Sequence, residues 1–189
     1  MQAPNLNSTT DGEVALVEAA IRGDSQAFAA LYDRHSERVF RHVLYRVANR
    51  PDAEDLTQQV FLQAWRAIER YQRTEAPFVA WLLTIASHVV VSHSRRAKPT
   101  TPLDLEPVST GRWADPEGET MARFDREAVR AAILNLKADQ QQVVMLRFVE
   151  HFDHAEVAAA LGKSESYVRV IQHRALIELR RRLTHEVKS

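Results

Sequence analysis

The chain has 189 residues and a mass of 21.5 kDa, which allows one medium domain or two small ones. Its 25 basic and 25 acidic residues cancel, and 45% hydrophobic with 26% charged residues is the mix of a folded chain rather than a disordered one. Cysteine is absent, which excludes a disulfide framework, a Cys-ligated zinc site and a thiol nucleophile. No apolar run reaches the ~20 residues of a membrane-spanning helix, so no membrane insertion is expected. The N-terminal MQAPNLNSTTDGE has neither a basic start nor an apolar stretch, so no secretory signal is expected and a cytoplasmic location fits. Glycines occur only at 12, 23, 111, 118 and 162, which leaves no Gly-rich phosphate loop and argues against a nucleotide-binding α/β fold.

Residues 1–10 carry no periodic pattern and are expected to be disordered. Asp11 is expected to cap a first helix through EVALVEAAIRG, with Val14, Val17 and Ile21 on one face and Gly23 at the stop. Asp24 or Ser25 then caps a longer helix. Its Phe28, Leu31, Tyr32, Val39, Phe40, Val43, Leu44 and Val47 recur at three- and four-residue spacing. Arg50-Pro51-Asp52 breaks that helix, and Asp52 is read as the cap of the next. Leu56, Val60, Ala64 and Ile68 form its inward stripe, flanked by Phe61 and Trp65. A loop, YQRTEAP, precedes an apolar helix that ends at Arg95-Arg96. No strand alternation is found; the three-residue Val89–Val91 run lies inside a helical pattern.

Residues 97–120 hold four of the 7 prolines and two of the 5 glycines and no apolar period, so they read as a linker. Trp113 is its one large apolar side chain. A second helical set follows. EAVRAAILNL supplies Val129, Ile133 and Leu136, and ADQQQVVMLRFVE supplies Val143, Val144, Leu146, Phe148 and Val149. DHAEVAAALG, with Val157, Ala158 and Leu161, stops at Gly162, and Lys163–Ser166 leads into YVRVIQHRALIELRRRL, with Val168, Ile171, Ala175 and Leu179 on one face. A helix, a tight turn containing Gly and a basic helix form the pattern of a helix-turn-helix, whose second helix enters the major groove. The neutral total also hides two basic blocks. Residues 61–96 have five basic and two acidic groups (+3), and residues 161–189 have seven and three (+4). Residues 97–120 between them have two and five (−3). Contact with a polyanion and plain solvated helix faces both explain the basic blocks.

The stretches DAEDLTQQVFLQAWRAIERY (52–71) and WLLTIASHVVVSHSRR (81–96) resemble region 2 of bacterial sigma factors. The helix-turn-helix 153–183, preceded by ADQQQVVMLRFVE, resembles region 4. Region 2, a short Pro-rich linker and region 4 in that order resemble the extracytoplasmic-function (ECF) group of the sigma-70 family. The resemblance implies an all-α chain of two small helical domains, a region 2-like bundle at 11–96 and a region 4-like helix-turn-helix domain at 121–189. A flexible linker at 97–120, running toward the polymerase active-site cleft, joins them. It implies a non-enzymatic factor without a cofactor that binds core RNA polymerase, recognises the −35 element as duplex and melts the −10 element of promoter DNA. An anti-sigma protein is a further candidate partner. The rival reading is a helix-turn-helix regulator that binds DNA without polymerase.

Three residue sets follow from the resemblance. Asp55, Gln58, Gln59 and Leu62 match the polymerase-binding surface, and they lie opposite the inward-facing Leu56 and Val60. Gln59 stands where the family commonly has Glu. Arg66, Arg70, Arg73, Trp81, His88, Arg95 and Arg96 match the −10 region, supplying charge for phosphates and rings or imidazole for a base. Trp81, at apolar helix spacing, also fits a core role. Ser87-His88 and Ser92 depart from the family's Arg-Asn and Asp. Ser164, Ser166, Tyr167, Arg169, Val170, His173 and Arg174 match the −35 readers. Arginines can pair bidentately with guanine or bind phosphate, and valine can meet a thymine methyl. Arg180, Arg181 and Arg182 fit either backbone contact or the helix dipole. Among the eight histidines only His151 and His154 have a ligand-like spacing, no third ligand accompanies them, and no metal site is expected.

Overall fold

The structure, a computed structural model, describes residues 6–96 and 119–186, with side chains over 12–95 and 126–184. The described residues form eight α-helices and no strand. They run α1 Leu6–Ile21, α2 Ser25–Val47, α3 Arg50–Ala67, α4 Phe78–Arg96, α5 Glu119–Leu134, α6 Ala138–Val144, α7 His154–Leu161 and α8 Glu165–Glu186. The expected linker and its Trp113 lie outside the described residues, apart from its last two positions, which open α5.

Helices α1–α4 pack as a bundle in which α2 touches α1, α3 and α4. Its core is the stripe read from the sequence: Leu56, Val60, Ala64 and Ile68 are all buried, with Leu31, Val39 and Val43 from α2 and Leu82, Leu83 and Ala86 from α4. Ile68 lies in a single 3-10 turn, Ile68–Arg70, that ends α3. Two local readings differ. Helix α1 starts at Leu6, so Asp11 is an interior residue and not a cap, and residues 6–10 belong to the helix. Asn49, not Asp52, caps α3; its side chain accepts from the Asp52 N–H at 3.1 Å, and Pro51 sits in the first turn where a missing N–H costs nothing. Helix α2 also buries His35, His42 and Arg46.

Helices α5–α8 form the second half. Helices α5, α6 and α7 all pack against the long α8. Helix α6 ends in a π-type turn, Met145–Val149, which buries Met145 and Leu146 while leaving Phe148 exposed. Asp153 and Glu156 cap α7 reciprocally, each accepting the other's backbone N–H, at 2.8 and 2.7 Å. Gly162 ends α7 in the left-handed region, φ 61°, and its N–H closes back on α7. Two residues later Ser164 accepts the Tyr167 N–H at 3.2 Å and starts α8. Val168, Ile171 and Ala175 turn inward, and the helix-turn-helix is complete.

The two halves share one core. Val143, Leu146, Phe152, Val157, Ala158, Val168 and Ile171 join the cluster of the first bundle, and Tyr45 of α2 packs on the cluster of Ile133, Leu136, Val144, Met145 and Ala175. A side chain at Gly162 meets no steric contact, so backbone strain alone decides its replacement. Gly162→Ala is expected to destabilise the chain by about 1–2 kcal/mol, the cost of a left-handed alanine, seen as a lower midpoint in thermal or urea unfolding.

Candidate polymerase and nucleic-acid interface

On α3 the inward stripe leaves Asp55, Gln58, Gln59 and Leu62 exposed on the opposite side, Leu62 at 50%. Leu62 is the one large apolar side chain in that exposed set, flanked by amides and a carboxylate. Arg66, one turn further, and Arg70, in the 3-10 turn, are exposed. Arg73 is exposed in the following loop and pairs with Glu18 at 3.2 Å. Trp81 is half-buried, 4.7 Å from the Tyr71 ring and 5.4 Å from Phe78, so it belongs to an aromatic cluster under that loop. His88 is exposed on α4, Ser87 beside it is buried, and Ser92 and Arg95 are exposed further along. The Arg96 side chain lies outside the described ones.

On α8, Ser166, Tyr167, Arg169, Val170, His173 and Arg174 are exposed, Val170 at 48%. They occupy the first three turns, opposite Val168, Ile171 and Ala175. Ser164 is exposed too, but its hydroxyl is engaged as the α8 cap. Arg169 is tethered to Glu165 at 3.0 Å, one turn back, an exposed pair of the kind worth little and readily exchanged for a phosphate or a base. Arg181 and Arg182 bracket Glu178, at 2.7 and 2.8 Å, and hold its carboxyl down at about 2. No group of three or more His, Asp or Glu side chains among the described residues has metal-binding geometry.

A buried polar constellation between the halves escaped the sequence reading. The Glu150 carboxylate, its side chain 8% exposed, accepts from Arg38 Nε at 2.8 Å and faces His42 Nδ1 at 2.9 Å. Arg38 Nη2 also donates to the Glu150 carbonyl at 3.0 Å, and its guanidinium lies 5.0 Å above the Phe152 ring. Arg46 donates to the Gln141 amide oxygen, and Gln141 donates to the Ile133 carbonyl at 3.3 Å. Arg130 donates to the Tyr45 carbonyl at 2.5 Å. The detectable signal was three polar residues, 35, 42 and 46, on the same face of α2 as Leu31, Val39 and Val43.

Burial pushes the His42 pKa below 6.5 and outweighs the opposing pull of Glu150; Arg46 and Arg38 add to the lowering. His42 is therefore neutral at pH 7, donating from Nδ1 to Glu150, and its buried Nε2 has no protein partner to receive a second N–H. Burial opposes ionisation of Glu150, but the hydrogen bond from His42 and the Arg38 guanidinium overcome it and lower its pKa. Burial also pushes Arg46 down to about 10, still charged at neutral pH.

Residues 31–100 match the sigma-70 region 2 family and residues 132–181 match sigma-70 region 4. The chain is 34% identical over 98% of its length to the ECF RNA polymerase sigma factor BldN of Streptomyces coelicolor, covering 71% of that protein. The chain belongs to the ECF RNA polymerase sigma factors. It is also 29% identical to SigL, an ECF sigma factor of Mycobacterium tuberculosis, over 88% of this chain and 94% of that protein. The fold is that of CnrH, solved in complex with the cytosolic domain of CnrY: TM-score 0.65, 22% identity, 92% of this chain and 98% of that one. The sigma factor RpoE, solved with the anti-sigma factor NepR from Bartonella quintana, agrees at TM-score 0.60 and 19% identity, over 83% and 96% of the two chains. This sigma factor thus pairs region 2 and region 4 to bring RNA polymerase to promoter DNA, and no described helix is long and apolar enough to cross a membrane.

A neutral buried histidine has a pH consequence. Its lowered pKa means the packed state binds fewer protons than the open or unfolded one just below pH 6.5, so stability is full above that value and falls as pH drops through it. Glu150, also lowered, adds a further loss below its ordinary 4.5. Urea unfolding of the wild type is expected to weaken between about pH 7.5 and 5.5, and His42→Gln is expected to flatten that dependence.

Proposed function

We propose that the two exposed faces divide the labour of initiation. Asp55, Gln58, Gln59 and Leu62 bind core polymerase. Arg66, Arg70, Arg73, Trp81, His88, Arg95 and Arg96 take the −10 strand, and Ser166, Tyr167, Arg169, Val170, His173 and Arg174 read −35 duplex. Ser164 contributes through its position at the start of α8. The observation that carries this reading is the match of two family regions with outward-facing residues at the motif positions. The working units are residues 11–96 and 121–189, joined by 97–120. The factor carries no chemistry of its own; it positions polymerase and DNA. It acts in the cytoplasm, where polymerase is, and an anti-sigma protein restrains it, as NepR accompanies RpoE in the solved complex.

Polymerase binding tests the first face. Asp55→Arg with Gln58→Ala, both exposed, is expected to weaken association with core polymerase while circular dichroism stays unchanged; full affinity in the folded variant would remove this face.

Arginine position along α8 separates sequence reading from phosphate contact. Arg169 lies in the first two turns, where base edges are within reach; Arg180 lies near the far end. Arg169→Ala is expected to cost about 1–3 kcal/mol and to change preference at one promoter position. Arg180→Ala is expected to weaken all sequences alike. Binding of both variants to single-base −35 variants measures this, and a uniform loss for Arg169→Ala would make it a phosphate contact.

A further inference from the structure

Helix α1 lies outside the region 2 match, which begins at residue 31, yet it holds the loop that follows α3. It packs on the 3-10 turn Ile68–Arg70, which leads into that loop, and its Val17 and Ala20 are buried in the bundle core. Glu13 fixes α1 to α2: its carboxylate lies 3.4 Å from Arg34 Nη1 and 3.3 Å from Nε2 of the buried His35. Glu18, one turn further and exposed, reaches the loop instead. Its Oε1 accepts from Arg73 Nη1 at 3.2 Å, 55 residues along the chain. The loop is also seated from below. Tyr71 stands edge-on to Phe78 at 5.4 Å and 4.7 Å from Trp81, Ala76 is buried, and the Ala76 N–H donates to the Thr74 hydroxyl at 3.2 Å. Burial pushes the Tyr71 phenol up; the Arg73 charge opposes the rise and Glu13 adds to it, so both charges lie near that hydroxyl.

We propose that Glu18 is a built-in competitor for the phosphates of the −10 strand: it occupies Arg73 in place of a phosphodiester, so a single strand gains this cation only by displacing a carboxylate. The proposal rests on the assignment of Arg73 to the −10 face above.

Carboxylate and phosphodiester are alternative anions for one guanidinium, and both accept from the same kind of N–H donor. The side chains of Arg73 and Glu18 are 51% and 50% exposed, so the exchange needs no unfolding and the pair itself is weak. The displaced carboxylate does not leave. Glu13, Val17 and Ala20 keep α1 in place, so Glu18 stays within the ~8 Å over which charges act at physiological salt and continues to repel the strand. The loss is the same for every sequence, because a phosphate carries no base information. Its effect on occupancy is not the same. A strand held by phosphates alone falls below saturation, while one that also stacks a base on the protein still binds. Glu18 therefore works as a repulsive element set against unwanted partners.

A double-variant cycle tests this. The full chain, Glu18→Gln, Arg73→Ala and the double variant are titrated at low salt with two single-stranded probes, oligothymidylate and a random-sequence pool, and circular dichroism checks that each protein is folded. Glu18→Gln is expected to bind both probes about two- to five-fold more tightly than the wild type. That gain is opposite in direction to what damage to the fold would produce. Arg73→Ala is expected to bind more weakly and to cancel the gain, so that the double variant binds like Arg73→Ala alone. The proposal is overturned if folded Glu18→Gln binds no more tightly than the wild type, if it gains as much without Arg73 as with it, or if none of the four proteins binds either probe. Arg73→Ala keeps the two readings apart. Weaker binding there, with no gain in Glu18→Gln, leaves the −10 assignment standing and removes the competitor; wild-type binding by Arg73→Ala removes Arg73 from the −10 face, and the proposal with it.

Discussion

A carboxylate taken out of water must be matched, and among the described residues Glu150 is matched by Arg38 and His42 of the other half of the molecule. Arg38 and His42 of α2 reach it across more than a hundred residues of sequence. Around that contact the remaining features fall into order. His42 stays neutral because it is buried and needs one N–H, not two. Phe152 fills the space under the Arg38 guanidinium and ties the turn after α6 into the shared core. The helix-turn-helix is presented from the far side of that turn, with its inward stripe in the same core.

The seam between the two halves differs in composition from the two outer faces. The outer faces are ordinary solvated helix surfaces, with pairs such as Arg169–Glu165 that exchange partners at little cost. The seam combines apolar side chains with buried charge. Apolar burial favours closure, while Arg46 is incompletely paired and opposes it. An interface of this kind responds to acid through His42.

Much of this was legible in the residues. The α3 stripe from Leu56 to Ile68, the stop at Gly162 and the inward face of α8 follow from periodicity and from the one residue type that takes a positive φ freely. The exposed sets on α3 and α8 follow as their complements. What was not legible depends on distant partners. Asn49 and Asp52 are both capping residues three apart, and only the helix start at Arg50 tells which one caps. Asp11 looked like a cap because the preceding residues lack an apolar period. The burial of His42 and Arg46 follows from their place on the apolar face of α2, but their polar partners Glu150 and Gln141 come 108 and 95 residues later. Polar residues on an otherwise apolar helix face were the trace that this partner left in the sequence.

The central claim is that the free factor is one body. Small-angle X-ray scattering of the isolated full chain at neutral pH tests it most directly. One compact particle with a radius of gyration of about 16 Å is predicted for a folded body of this length. A clearly larger radius, with a distance distribution of two separated lobes, would contradict it.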